Sequence, residues 1–125
     1  MDRSPAFEAR SAGLVAVGAA AGALGRWQIA EWIGTEPGRL PWETLLVNLT
    51  GCLLIGLAAS RIEPGSDRWL FGVTGLLGGF TTFSAFSNET RALLDTDRVG
   101  TAVAYVAVTL AGGLLAVAAG RRVGA

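Results

Sequence analysis

The chain has 125 residues, 51% of them apolar and 18 of them glycine, and a formal net charge of zero in which every positive charge is an arginine. It has no histidine and one cysteine, Cys52, which excludes an internal disulfide, a histidine base and a histidine–cysteine metal centre. No basic patch, finger spacing or aromatic RNA motif points to nucleic acid; the composition is that of one small unit of closely packed membrane helices.

Residues 1–10, MDRSPAFEAR, read as a mobile tail or a short interfacial segment. Arg3 and Arg10 ahead of apolar residues imitate a signal peptide, but the apolar run outlasts a signal and three more follow. A first span is predicted over Ser11–Ile33, broken by Arg26 near its far end, and the segment Gly34–Pro41 is rich in helix breakers. A second span covers Trp42–Ser60, followed by the polar turn Arg61–Arg68. The third runs from Trp69 to about Leu94, and the fourth covers the 22 uncharged residues Val99–Gly120 and stops at Arg121 and Arg122. Each is close to the roughly 20 residues that cross ~30 Å of hydrocarbon. Trp27, Trp32, Trp42 and Trp69 fall near proposed ends, where interfacial aromatics belong. The expected fold is an all-α membrane protein with four transmembrane helices in a single unit, residues 1–125.

Arginines favour one side only modestly. The side of both termini holds Arg3, Arg10, Arg61, Arg68, Arg121 and Arg122; the other holds Arg39, Arg91 and Arg98, with Arg26 nearby. The positive-inside rule leans to cytoplasmic termini and leaves room for both orientations.

The third span carries the most information. Inside the charge-free run Trp69–Asn88 lies Gly78-Gly79-Phe80-Thr81-Thr82-Phe83-Ser84-Ala85-Phe86-Ser87. Paired glycines and threonines weaken a helix, and freed backbone groups are tolerated in a bilayer only where protein or a cavity covers them. A helix broken at Gly78–Thr82 is therefore expected, with the carbonyls of Gly78 and Thr81 forming a hard-oxygen site for a cation such as Na⁺, or else a tight bend where helices cross.

Other polar residues within the spans have two readings each. Asn48 must meet a polar group or water, as glue between helices or as a neutral donor to an anion. Thr44, four residues earlier, shares its face. Phe83 and Phe86 also share a face, and stand among Thr81, Thr82, Ser84 and Ser87; their positive ring edges suit a passing anion, while the bland alternative is core packing. Tyr105 and Thr109 form a stripe on the fourth span, for a pathway or for ordinary interhelical bonding. Arg26 either snorkels to the interface or supplies fixed positive charge to a vestibule. Glu89, at the end of the third span, reads as a solvated carboxylate or an arginine's partner, and Glu31 and Glu43 sit only at span edges.

At these residues the chain resembles the CrcB/Fluc family of fluoride channels, over essentially its whole length. The resemblance lies in Gly25-Arg26-Trp27, Thr44-Leu45-Leu46-Val47-Asn48, Gly75-Leu76-Leu77-Gly78-Gly79-Phe80-Thr81-Thr82-Phe83-Ser84, and the stretch Ala104-Tyr105-Val106 to Thr109-Leu110-Ala111-Gly112. It implies an antiparallel dual-topology dimer in the cell membrane, with two fluoride pathways and a central structural Na⁺ held by carbonyls of Gly78 and Thr81 from both subunits. Asn48, Phe83, Phe86, Ser84, Tyr105 and Thr109 would line the fluoride route, and Arg26 would be the vestibule arginine. Ala85 and Gly113 depart from the family in lacking hydroxyls, which thins the polar track. The lopsided arginines admit a heterodimer with an oppositely oriented paralogue as well as a homodimer. No catalytic step is expected. Two rival readings remain: a small dual-topology multidrug transporter, whose usual first-span carboxylate is missing here, and a structural membrane subunit.

Overall fold

The computed structural model describes residues 4–125, and every described helix, turn and contact below belongs to that range. Among these residues there are helices and no strands. Helix α1 is Pro5–Ile33: Ser4 caps it by accepting from the Phe7 amide at 3.3 Å, proline occupies its first turn, and Gly34 ends it at φ 73°. Helix thus begins within the segment expected to be a tail or interfacial piece; Met1, Asp2 and Arg3 lie outside the described residues. Helix α2 is Trp42–Ala59. Helix α3 covers residues 67–80, with Leu70–Leu77 wound as a π-helix, and is capped by Ser66, which accepts from the Trp69 amide. Helix α4 is Phe83–Asp95 and α5 is Val99–Gly124. Asp97 turns the chain between these two at φ 57°.

The interruption expected at Gly78–Thr82 is real but narrower. Gly78–Phe80 are helical, and only Thr81 (φ −80°, ψ 157°) and Thr82 (φ −147°, ψ 120°) are extended. The glycines do something else. Gly18 and Gly22 on α1 face Gly75 and Gly79 on α3, each pair four residues apart, which brings the two backbones together. A β-carbon at Gly22 would enter the Leu76 carbonyl, one at Gly79 the backbone of Ala19, and one at Gly75 would lie 2.8 Å from the Val15 carbonyl. Close packing holds these glycines helical, and the β-branched threonines, which favour extended backbone, take the break. Gly22→Leu is accordingly expected to prevent correct packing of α1 on α3, since overpacking typically costs about 1–3 kcal/mol and more when backbone must move. Loss of the monodisperse peak in detergent gel filtration, with a lowered melting temperature, checks this.

Helices α2 and α5 form the second close pair, with Gly56 against the Val117 carbonyl and Gly120 against that of Leu53. The carbonyls ending α5 are closed off by Arg61, whose Nε donates to Gly124 O at 3.2 Å, and by Ser60, whose Oγ donates to Arg121 O at 3.1 Å. Leu45, Phe86, Leu93, Ala102 and Tyr105 make the buried core between α2, α4 and α5.

Three stretches are long and apolar enough to cross a membrane: Trp42–Ala59, the combined α3–α4 stretch Asp67–Asp95, and Val99–Gly124. Helix α1, with 29 residues, has the length. Its alanines, glycines and Arg26 make it less apolar than the others. Large apolar side chains point outward, Leu24, Leu114 and Leu115 among them, as a lipid or protein surround requires.

Candidate functional site

The two extended threonines leave backbone groups to satisfy, and Asn48 on α2 satisfies two of them. Its Oδ1 accepts from the Thr82 amide at 2.8 Å, and its Nδ2 donates to the Thr82 carbonyl at 3.0 Å. In an unbroken helix that amide would bond the Gly78 carbonyl, so the Asn48 clamp takes the helical partner away from Gly78. Thr82 Oγ1 caps α4 by accepting from the Ala85 amide at 3.1 Å, and lies 3.2 Å from Ser84 Oγ. The Thr81 amide and hydroxyl both donate to the Leu77 carbonyl, at 3.0 and 2.9 Å, while its methyl fills the space left by Gly51. Arg26 does not simply snorkel: its Nε donates to the Gly79 carbonyl at 3.3 Å.

On one side of this break a groove of about 550 Å³ opens, lined by Asn48, Thr81, Phe83, Phe86 and Thr109 along with Cys52. Five of the residues singled out in the sequence therefore share one surface. The rings of Phe83 and Phe86 are 5.8 Å apart and tilted by 49°; Phe83 is 78% exposed while Phe86 is buried. The Thr109 hydroxyl oxygen is buried without a hydrogen-bond partner among the described residues, and a donor left so is a candidate for a missing ligand. Gly113, which lacks a hydroxyl, leaves room for the Cys52 thiol, 3.4 Å from where its β-carbon would stand.

The other singled-out residues lie elsewhere. Tyr105 is fully buried, its ring 5.2 Å from that of Phe86, and its hydroxyl donates to Glu89 Oε2 at 2.6 Å. Ser84 is exposed beside Thr82, and Gly78 is exposed outside the groove. Arg26 lines a separate chamber of about 160 Å³ with Glu43, Thr44, Thr82, Ala85 and Glu89. Thr82 borders both spaces, so the Asn48–Thr82 pair stands between them. Ala85 is there too, without the hydroxyl that would have made its wall more polar.

Glu89 corrects the sequence reading. It is neither a solvated end charge nor an arginine's partner: Thr44 Oγ1 donates to its Oε1 at 2.7 Å while Tyr105 takes the other oxygen. Hydroxyl bonds to an ionised carboxylate are short and strong, and these two tie α2 and α5 to α4. The signal lay in the stripe Phe83–Phe86, which continues with the same three-residue step to Glu89. Glu43, placed at a span edge, is 6% exposed and faces the same chamber. Thr82, the backbone partner of Asn48, carried no sequence signal beyond its place in the break.

Comparison with known proteins bears on this arrangement. The family model described as CrcB-like protein, camphor resistance (CrcB), matches residues 13–121, which takes in part or all of every helix. A protein of Bordetella petrii named fluoride-specific ion channel FluC is 46% identical over 110 residues, 85% of this chain and 84% of its own. Proteins of the same name from Acidobacterium capsulatum and Thermus thermophilus are 43% and 44% identical, over 88% and 89% of this chain and 92% and 91% of theirs. The chain belongs to the CrcB-like family. With its spanning-capable helices, this CrcB-like chain is a multi-pass membrane protein. The clamp of Asn48 on Thr82, the Phe83–Phe86 pair and the carboxylate of Glu89 all fall within the matched residues.

Proposed function

We propose that the chain is a fluoride-selective channel of the cell membrane, giving passive exit to F⁻ and so conferring fluoride resistance, without a catalytic step. The observation that carries this reading is the groove at the helix break, where an amide, two phenylalanines and a partnerless hydroxyl meet. Fluoride is small and strongly hydrated, so a route for it must replace water with donors. Thr109 Oγ1 has a hydrogen to offer, and Asn48 keeps one amide hydrogen after bonding Thr82. The rims of Phe83 and Phe86 attract an anion weakly, which favours passage over trapping. Arg26 contributes fixed positive charge in the neighbouring chamber. Tyr105 acts on this route through Glu89, and Ser84 through Thr82. The fluoride-specific names of the relatives favour a channel over a multidrug transporter or a structural subunit.

The working unit is an antiparallel pair, with all four predicted spans of each chain in the membrane and the two breaks between α3 and α4 meeting at mid-depth. Its partner is a second copy or an oppositely oriented paralogue. The Gly78 carbonyl, deprived of the Thr82 amide, suits a hard cation, as does that of Thr81. Two such oxygens per chain would hold a structural Na⁺, which would offset the converging carbonyl dipoles.

Purified chain in proteoliposomes is expected to release fluoride down its gradient while chloride stays inside, read with fluoride- and chloride-selective electrodes. Weak-acid HF enters cells and dissociates near neutral pH, so this exit lowers accumulation. Well-folded protein that passes no fluoride removes the reading for the homomer, and flux from this chain alone removes the need for a paralogue.

A further inference from the structure

Among the described residues, Glu43 is a carboxylate that the fold nearly encloses with no side-chain partner, bonded only by its own backbone amide. It is 6% exposed, whereas the ion pairs among the described residues, Arg10–Asp67, Arg39–Glu36 and Arg91–Asp95, are all exposed and none includes it. Glu89 beside it has a hydroxyl on each oxygen; no side-chain donor reaches Glu43 among the described residues. An unpaired buried charge is costly unless water or a proton accompanies it.

Its position gives that cost a purpose. A second chamber of about 230 Å³ lies on the loop side, lined by Glu36, Pro37, Arg39 and Leu93 and also by Glu43 and Glu89. Glu43 and Glu89 border the inner chamber as well, the one that holds Arg26 and ends at Thr82. An ion moving from the loop side toward the groove of Asn48 and Phe83 passes both carboxylates. From each neighbouring element the charged or titratable groups are Arg26 on α1, Glu36 and Arg39 of the loop, Glu89 on α4, Arg98 before α5, whose guanidinium lies against Gly38, and the Tyr105 phenol on α5. Glu36 and Arg39 pair with each other at 2.8 Å, and the phenol is bound to Glu89. The inner chamber is left with one guanidinium against two carboxylates, which is the wrong sign for an anion's entrance.

We propose that Glu43 controls the rate of fluoride entry at this mouth: ionised, it holds the anion back, and protonated, it balances the chamber and lets the anion through. This rests on the fluoride reading above and extends it to acid activation. Acidic surroundings are where HF loading is heaviest, so a route that opens on that side would match the threat.

The test is initial fluoride efflux from proteoliposomes between about pH 5 and pH 7.5, from just above the ordinary carboxylate values to the neutral side. Efflux from protein-free vesicles is subtracted at each pH to remove the HF leak. Wild type is expected to speed up toward acid pH. Glu43→Gln is expected to be about tenfold faster than wild type at the neutral end, the order of effect of one close unit charge on a passing ion, and nearly flat with pH. Glu43→Asp, which keeps the charge, retains the wild-type profile, and Glu43→Ala carries the same expectation as Glu43→Gln should the latter fold poorly. A flat wild-type profile overturns the proposal without any variant. So does a neutral variant that keeps the wild-type slope, or one slower than wild type throughout. Fluoride flux that is present but insensitive to Glu43 sinks this inference alone, while absence of flux at every pH sinks the channel reading and this inference with it.

Discussion

Asn48→Ala is expected to lower fluoride flux by about 100-fold or more and to destabilise the fold as well. The side chain makes two hydrogen bonds to Thr82, at 2.8 and 3.0 Å, and removing it leaves an amide and a carbonyl without partners beside a membrane-embedded groove. Each group so abandoned costs about 1–3 kcal/mol. Freed, the Thr82 amide can return to the Gly78 carbonyl, which would extend the helix through the break and close the wall on which the groove depends. A tenfold change in rate corresponds to about 1.4 kcal/mol of barrier, so a 100-fold fall asks closure of the groove to add about 2.8 kcal/mol. Proteoliposome efflux reads the first effect and detergent thermal unfolding the second. Asn48→Ala at wild-type stability and flux would remove the clamp from the account of the site.

Phe83→Ile separates the two effects. Phe83 is 78% exposed within the chain, its ring touches that of Phe86 at a centroid distance of 5.8 Å, and isoleucine keeps bulk while losing the charged rim of the ring. Stability of the chain should change by no more than about 0.5 kcal/mol, as for other exposed positions, while fluoride efflux falls at least about tenfold, or about 1.4 kcal/mol of barrier. Phe86→Ile makes the useful contrast. That ring is buried against Tyr105 at 5.2 Å, so both stability and flux fall, and only the Phe83 variant reports on the ring's own role. Unchanged flux in well-folded Phe83→Ile would favour a packing role for the pair.

How far the sequence could be read follows from what each signal measures. Charge-free runs between arginine-bearing turns marked the stretches that hold α2, α3 with α4, and α5, because burying a charge in hydrocarbon is so unfavourable that composition alone marks the boundaries. The interruption was placed in the right helix for a partly wrong reason. Glycine weakens a solvated helix, but Gly75 and Gly79 lie against Gly18 and Gly22, and a helix pressed that closely on its neighbour keeps its form. Thr81 and Thr82 give way instead. Asn48 announced itself as a polar group needing a partner, yet that partner is backbone 34 residues away, which no local pattern encodes. Glu43 stands at the span edge where the sequence put it, in the first turn of α2, but its burial there and the hydroxyl partners of Glu89 were not legible. Charges near a span's end are ordinarily solvated, and only the assembled helices reveal that α2, α4 and α5 close around these two.

The interruption at Thr81 and Thr82 has a further electrostatic consequence. It creates two helix ends near the middle of the stretch Asp67–Asp95: the carbonyl end of residues 67–80 and the amide end of Phe83–Asp95. Aligned peptide dipoles leave about half a negative charge at the first and half a positive charge at the second. One two-residue interruption therefore supplies opposite polarities within a few ångströms, with Arg26 alone bound at the carbonyl end, to Gly79.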